Sequence, residues 1–146
     1  MVSSKKDNLN SFPQIAVGAV VFNSSGDVLL VKRKNEPSKN LWAVPGGRLQ
    51  AGETLKEAAE REILEETAII IKPVKIIYTF ELLEKDESGG IKFHYIIIDF
   101  DAKYISGDPY AADDALETAW ISRENYKNIN VNGSTRELLR EKYSFE

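Results

Sequence analysis

Apolar positions in this chain fall into six runs rich in β-branched and aromatic residues, separated by polar segments. Such runs predict β-strands, which would span residues 15–22, 28–31, 41–44, 69–84, 91–102 and 118–121. Turn formers at 23–27 join the first two strands into a predicted hairpin. Pro73 predicts a strand start or a bulge within the fourth run. The polar stretch 32–40 and the acidic stretch 106–115 are predicted to be loops.

The strongest helix prediction covers residues 54–67. Thr54 is a suitable N-cap, and Glu57, three residues later, completes a capping box. The residues that follow are mostly Ala, Leu, Glu, Lys and Arg, which favour helix. Two further helices are predicted at 123–127 and 134–143. Strands and helices in this order predict a mixed α/β (α+β) layer fold.

The length of the chain, 146 residues, is usual for one domain, and we find no linker, repeat or low-complexity tract within it. We therefore predict a flexible leader over residues 1–12 and a single domain over 13–146. The leader lacks the apolar stretch of a signal peptide, and no run is long enough for a transmembrane helix. These features predict a cytoplasmic protein that does not contact a membrane.

The composition restricts the chemistry that the chain can perform. It has no cysteine, which excludes a thiolate nucleophile and a cysteine zinc site, and a single histidine, His94, which excludes a multi-histidine metal site. A bound metal would therefore have oxygen ligands, which favour Mg²⁺ or Mn²⁺. The net charge of −4, from 19 basic and 23 acidic residues, argues against an extended nucleic-acid surface but permits a pocket for a small anion.

Three glutamates concentrate on one face of the predicted helix. Glu62, Glu65 and Glu66 share an arc of roughly 100° on its surface. Their charges repel by about 0.2–0.5 kcal/mol per pair, and they lie toward the helix C-terminus, where the dipole disfavours anions. One interpretation is a solvated charged helix, and the other is that a bound cation neutralises the carboxylates. The preceding segment 45–47, whose glycines allow close approach of a metal or phosphate, favours the cation.

The segment 47–66 resembles the signature of the Nudix hydrolases. Gly47 is followed by five residues and Glu53, then by seven residues and the run Arg61-Glu62-Ile63-Leu64-Glu65-Glu66. The family usually has glycine two residues after the last glutamate, where this chain has Ala68. Because glycine would end the helix in a left-handed cap, alanine makes that cap less favourable. We expect a rearranged helix exit and a retained metal site.

The resemblance implies both a fold and a metal site. The family fold is a mixed β-sheet sandwiched between α-helices, with the signature forming a loop, a helix and a loop. By similarity the metal ligands are the glutamates of the helix face and one backbone carbonyl, namely Glu62, Glu65, Glu66 and Gly46. Glu53 would lie at the edge of the site, and Arg61 would hold one glutamate by ion pairing. Mg²⁺ (or Mn²⁺) would neutralise the phosphates and activate water.

A carboxylate that accepts the proton of the attacking water is expected either on the signature helix or in a later loop. On the helix the candidate is Glu65. The acidic loop and the residues after it offer Asp114 and Glu117, which we favour over Glu84. The alternative is that Asp113 and Asp114 only stabilise a turn.

Candidate substrate contacts outside the signature are basic and aromatic: Lys32, Arg33, Trp42 and His94. The two basic residues could attract phosphates, Trp42 could stack on a base, and His94 could contact a phosphate or a base. The alternatives are solvated basic residues, core packing for Trp42 and a solvent-facing strand position for His94.

The stretches 94–100 and 107–115 resemble a group of small Nudix proteins described as ADP-ribose pyrophosphatases. The leading hypothesis is metal-dependent hydrolysis of the pyrophosphate linkage in ADP-ribose or a related nucleotide sugar. The rival is pyrophosphohydrolysis of (deoxy)nucleoside triphosphates, including oxidised ones. A catalytically silent nucleotide-binding module is a third alternative, against which the retained glutamates argue. The expected partner is a small nucleotide, and a homodimer is also considered because homodimers are frequent in the family.

Overall fold

The structure of the chain, a computed structural model, describes residues 12–146. The predicted leader therefore lies outside the described residues, apart from Phe12. The described chain forms a sheet of seven strands, which are β1 (Gln14–Phe22), β2 (Val28–Arg33), β3 (Trp42–Ala43), β4 (Gly46–Arg48), β5 (Ile70–Lys85), β6 (Ile91–Ser106) and β7 (Ala115–Ile121).

The sheet is mixed. Its central order is β3-β2-β1-β6-β5, with β4 paired to β1 and β7 paired to β2. β1 and β6 run parallel, whereas the other pairs are antiparallel. The predicted hairpin forms between β1 and β2, with Phe22 opposite Val28. The side chain of Asn23 stabilises its turn by accepting the backbone N–H groups of Ser25 and Asp27, both at 3.0 Å.

Three helices are present among residues 12–146, namely α1 (Leu55–Thr67), α2 (Arg123–Tyr126) and α3 (Gly133–Tyr143). Ile63 of α1 packs with Val17 in one core cluster, and Leu138 of α3 packs with Val20 in a second. Val17 and Val20 point to opposite faces because side chains alternate along a strand. The sheet is therefore packed between helices, which confirms the predicted fold class. None of the described helices combines the length and the apolar character that a membrane crossing needs.

Two segments predicted to lack strand structure belong to the sheet. Lys32 and Arg33, placed in a loop by their polarity, extend β2 and pair with Glu117 and Ala115. The segment Gly46–Arg48, which lies outside every predicted strand, is a strand of its own that pairs with β1. In both cases a distant strand supplies the ladder hydrogen bonds, and this outweighs the local composition. The expected bulge in β5 is confirmed by a register shift after Pro73.

The exit of α1 differs from the prediction. Ala68 adopts the left-handed conformation that was expected to be disfavoured, with φ 64° and ψ 16°, and its N–H donates to the Leu64 carbonyl at 2.9 Å. The loop after β6 also binds this helix end, because the N–H groups of Tyr110 and Ala112 donate to the Thr67 and Glu66 carbonyls at 2.9 and 3.2 Å. These distant donors satisfy the last carbonyls of the helix and hold the cap in place without glycine.

Candidate active site

The three glutamates of α1 differ strongly in exposure. The capping box around Thr54 fixes the start of the helix, and the helical period then turns the carboxylate face toward β4. Glu66 is only 4% exposed, whereas the side chains of Glu62 and Glu65 are 19% and 46% exposed. The carboxylates of this face thus range from Glu65, which is solvated, to Glu66, which is buried.

Arg61 holds the outer part of this face by binding three carboxylates. Its guanidinium forms a two-pronged pair with Glu53 and reaches Glu62 at 2.8 Å and Glu65 at 3.1 Å. The Arg48 carbonyl accepts a further bond at 3.1 Å. The hydrogen bond from Arg61 is the main cause that lowers the pKa of Glu53, and the same bond raises the pKa of Arg61. Arg61 therefore pairs with several glutamates at once, including the predicted edge residue Glu53.

Glu66 is the most buried member of the cluster. Its Oε1 accepts the backbone N–H of Gly46 at 3.1 Å. Burial raises its pKa from 4.5 to about 7, while the bond from Gly46 and the nearby charge of Arg33 oppose that rise. A carboxylate kept in this environment retains a strong tendency to gain a proton or a cation.

Glu62 occupies the space that Gly47 leaves open. A Cβ atom at Gly47 would overlap the Glu62 carboxylate, so only glycine leaves room for it. Burial raises the pKa of Glu62 as well, and the charge of Arg61 only partly opposes this. The signature glycine and the signature glutamate are thus sterically complementary.

Asp114 lies near the same carboxylates although it comes from the acidic loop. Its charge contributes to the raised pKa of both Glu62 and Glu66, after the larger effect of burial. The side chain of Asn35 donates to Asp114 at 3.0 Å, and the Lys34 N–H donates to its carbonyl at 3.0 Å. The loop that binds the end of α1 therefore also places a further carboxylate beside the helix.

The carboxylates suit a divalent metal in chemistry but are not preassembled around one. Within residues 12–146 no three acidic or histidine side chains are grouped as a metal site, because Arg61 draws Glu62 and Glu65 to itself while Glu66 binds Gly46. Carboxylate and carbonyl oxygens are ligands of hard divalent ions. Burial raises the pKa of Glu62 and Glu66 although Arg61 and Arg33 oppose the rise, so both carboxylates would gain from a divalent cation, and the residues fit such an ion.

A cleft of about 1070 Å³ opens beside the carboxylate face of α1. Glu62, Glu66 and Asp114 line it, together with Gly46 and Arg33. Its floor is one face of the central strands, made by residues that are neighbours across β1, β6 and β5: Gln14, Ala16, Gly18, Tyr95, Ile97, Asp99, Tyr78, Phe80 and Leu82. The carboxylates thus stand beside a partly aromatic surface large enough for a nucleotide.

The other predicted contacts, Lys32, Trp42 and His94, do not line this cleft. Lys32 forms an ion pair with Glu117 at 3.5 Å across β2 and β7. Trp42 packs against the second core cluster, and His94 pairs with Glu81 at 2.8 Å. Of the four predicted substrate contacts, the structure therefore brings only Arg33 to the cleft.

Asp99 is a site residue that the sequence analysis did not single out. It is 1% exposed, lines the cleft, and its Oδ1 has no hydrogen-bond partner among the described residues. Burial raises its pKa to about 7. A carboxylate inside an otherwise apolar strand, residues 95–100, was the signal that could have identified it.

Comparison with known proteins gives consistent similarities. A model of the NUDIX domain matches residues 12–141. The chain is 37% identical over 125 residues to an ADP-ribose pyrophosphatase of Methanocaldococcus jannaschii, covering 86% of this chain and 71% of that protein. It is 28% identical over 109 residues to an 8-oxo-dGDP phosphatase of Danio rerio, covering 75% of this chain and 32% of that protein. The solved structure of a MutT protein from Methanosarcina mazei Go1 is 27% identical with a TM-score of 0.70, covering 90% and 96%.

Proposed function

The chain belongs to the NUDIX family and is a hydrolase of that family, and on this premise we propose that it cleaves the pyrophosphate linkage of a nucleoside diphosphate joined to another group. The observation that carries this proposal is the position of Glu62 and Glu66 beside a cleft with a partly aromatic floor. The leading substrate is ADP-ribose, because the relative from Methanocaldococcus jannaschii is named for that reaction. The products would be AMP and ribose 5-phosphate.

Nudix hydrolases generally use divalent metal ions, and we assign Mg²⁺ (or Mn²⁺) to the carboxylate face. Its ligands would be the helix glutamates and one carbonyl, namely Glu62, Glu65, Glu66 and Gly46. When bound, the metal neutralises phosphate oxygens and lowers the pKa of water. Arg61, anchored by Glu53, keeps the exposed glutamates from turning away into solvent.

Asp114 is the proposed base for the attacking water. It lines the cleft and is close enough to Glu62 and Glu66 to affect their pKa values, whereas Glu117 is engaged by Lys32. In the reaction, water adds to one phosphorus, Asp114 accepts its proton, and the other phosphate leaves with the electrons of the bridging P–O bond. Arg33 lies at the cleft beside Glu66 and is proposed to bind the phosphates.

Hydrolysis of nucleoside triphosphates is the second candidate. It is favoured by similarity to a putative 8-oxo-dGTP diphosphatase of Bacillus subtilis, 58% identical over 48 residues, or 33% of this chain. The same carboxylate face would serve, because both reactions cleave a phosphoric anhydride. The difference lies in the group that occupies the cleft, and therefore in the products.

Product analysis of the purified protein with Mg²⁺ or Mn²⁺ tests the proposal. We expect AMP and ribose 5-phosphate from ADP-ribose, and loss of this turnover by orders of magnitude in Glu66→Gln. Glu60→Gln is the matched control, because Glu60 is an exposed glutamate on the same helix. Release of inorganic pyrophosphate from triphosphates, with no cleavage of ADP-ribose, would establish the second candidate. An unaffected Glu66→Gln variant would exclude the assigned metal role.

A further inference from the structure

Asp99 is a buried acceptor that no residue of the cleft satisfies. It lines the cleft floor at 1% exposure, and its Oδ1 has no partner in residues 12–146. Buried polar atoms are almost always hydrogen-bonded, so an exception at the floor of a cleft calls for an explanation. A ligand that brings hydrogen-bond donors into the cleft would supply the missing partner.

The sheet register locates this acceptor relative to the metal face. Asp99 lies opposite Tyr78 on β5 and opposite Gly18 on β1, and Gly18 lies opposite Gly46 on β4. Two strand spacings, about 10 Å, therefore separate the backbones of Asp99 and Gly46. A Cβ atom at Gly18 would overlap the Asp99 Oδ1, so the carboxylate leans over Gly18 toward β4.

The part of a substrate that meets Asp99 therefore adjoins its phosphates. Gly46 binds the carboxylate of Glu66, which is assigned to the metal and hence to the diphosphate. In a nucleotide the group next to the diphosphate is the ribose, and the base lies farther away. On the opposite side of Asp99, Tyr78 and Phe80 form an aromatic pair with ring centroids 5.7 Å apart, which provides a surface for that base.

We propose that Asp99 binds the nucleoside ribose by accepting hydrogen bonds from its 2′ and 3′ hydroxyl groups. This inference rests on the proposed function and adds to it the recognition of the sugar. Above its raised pKa of about 7, Asp99 is ionised and accepts hydrogen bonds but does not donate them. An acidic residue that binds the ribose 2′ hydroxyl is a known solution in nucleotide sites. A deoxyribose lacks one of these donors and leaves the buried acceptor incompletely satisfied. Asp99 thus selects ribonucleotides over deoxyribonucleotides.

The test is equilibrium binding of AMP and 2′-deoxy-AMP to the whole protein with Mg²⁺ at pH 8, where Asp99 is ionised, measured by calorimetry and repeated with GMP and 2′-deoxy-GMP. These monophosphates contain no anhydride, so their binding can be measured whether or not the protein cleaves ADP-ribose. Failure of the ribose-binding proposal can therefore be distinguished from failure of the proposed function. We expect the wild type to prefer the ribonucleotide by about tenfold or more. In Asp99→Asn the preference should fall by roughly five- to tenfold, because a neutral acceptor replaces a charged one.

The matched control is Asp101→Asn, two residues along β6. Asp101 accepts a hydrogen bond from the Tyr143 hydroxyl, and we expect its variant to keep the wild-type preference. A merely structural Asp99 would change thermal stability but not the ratio between the two sugars. The proposal is overturned if the wild type binds both sugars equally, if neither monophosphate pair binds, or if Asp99→Asn keeps the ratio. The proposal is also overturned if the protein discriminates between ADP-ribose and derivatives modified at its terminal ribose but does not discriminate between AMP and 2′-deoxy-AMP.

Discussion

Replacing Glu66 by glutamine measures how much the buried charge of this carboxylate destabilises the fold when no metal is bound. Glutamine has nearly the same shape, and its side-chain oxygen can still accept the Gly46 N–H. The substitution therefore removes the charge and little else. Because Glu66 is only 4% exposed, solvent screens that charge weakly.

The expected change in stability follows from the pKa of Glu66. Burial raises this pKa from 4.5 to about 7 in the folded protein, so the unfolded chain gives up the proton more readily. Above pH 7 this difference destabilises the fold by about 3 kcal/mol, and below pH 4.5 it has no effect. The metal-free Glu66→Gln variant should therefore be more stable than the wild type at pH 8 by an amount approaching 3 kcal/mol. At pH 5 the advantage should be below about 1 kcal/mol.

Urea denaturation in EDTA at pH 5 and pH 8 measures both values. Glu65→Gln is the control, since the Glu65 side chain is 46% exposed and, within residues 12–146, pairs only with Arg61. Its free energy of unfolding should change by less than about 0.5 kcal/mol at either pH. If Glu66→Gln were no more stable than the wild type at pH 8, the carboxylate would be better stabilised than its burial indicates. The premise that burial leaves this carboxylate without full charge compensation would then be refuted.

Three further predictions concern the glycines, the helix exit and the metal. Gly47→Ala should displace the Glu62 carboxylate and reduce kcat by about a hundredfold with little change in melting temperature. Gly46→Ala should instead destabilise the fold itself, because its Cβ would meet the Val17 carbonyl. Ala68→Gly should raise the free energy of unfolding by about 0.5–1 kcal/mol and the melting temperature by about 1–4 °C, because glycine relieves the left-handed strain. EDTA should abolish hydrolysis and added Mg²⁺ or Mn²⁺ should restore it; activity that survives chelation would refute a metal role.

The sequence predicted what depends on local spacing. The capping box of Thr54 and Glu57 forms as expected, since both partners lie within one turn. The shared face of Glu62 and Glu66 also follows from the helical period alone. The family signature, whose fixed positions match through Glu66, then implied the metal chemistry proposed for that face.

Features that depend on distant parts of the chain were not predicted. The left-handed cap at Ala68 forms where the backbone N–H groups of Tyr110 and Ala112, more than forty residues away, donate to the last carbonyls of the helix. The unpaired Asp99 arises from the register of three strands, and periodicity within one strand carries no information about register. Arg33 was assigned to a polar loop, yet its pairing with β7 makes it part of the sheet at the cleft.

The loop that binds the helix end also connects the stability of the fold to the chemistry of the site. Its N–H groups bind the last carbonyls of α1, where the helix dipole is negative and where Glu66 adds a further negative charge. A few residues later the same loop presents Asp114 to Glu62 and Glu66. Any change that detaches the loop would therefore loosen the helix exit and withdraw the proposed base together. We therefore expect the left-handed exit at Ala68 to affect activity through the position of the proposed base Asp114, even though the alanine side chain contributes no chemical group.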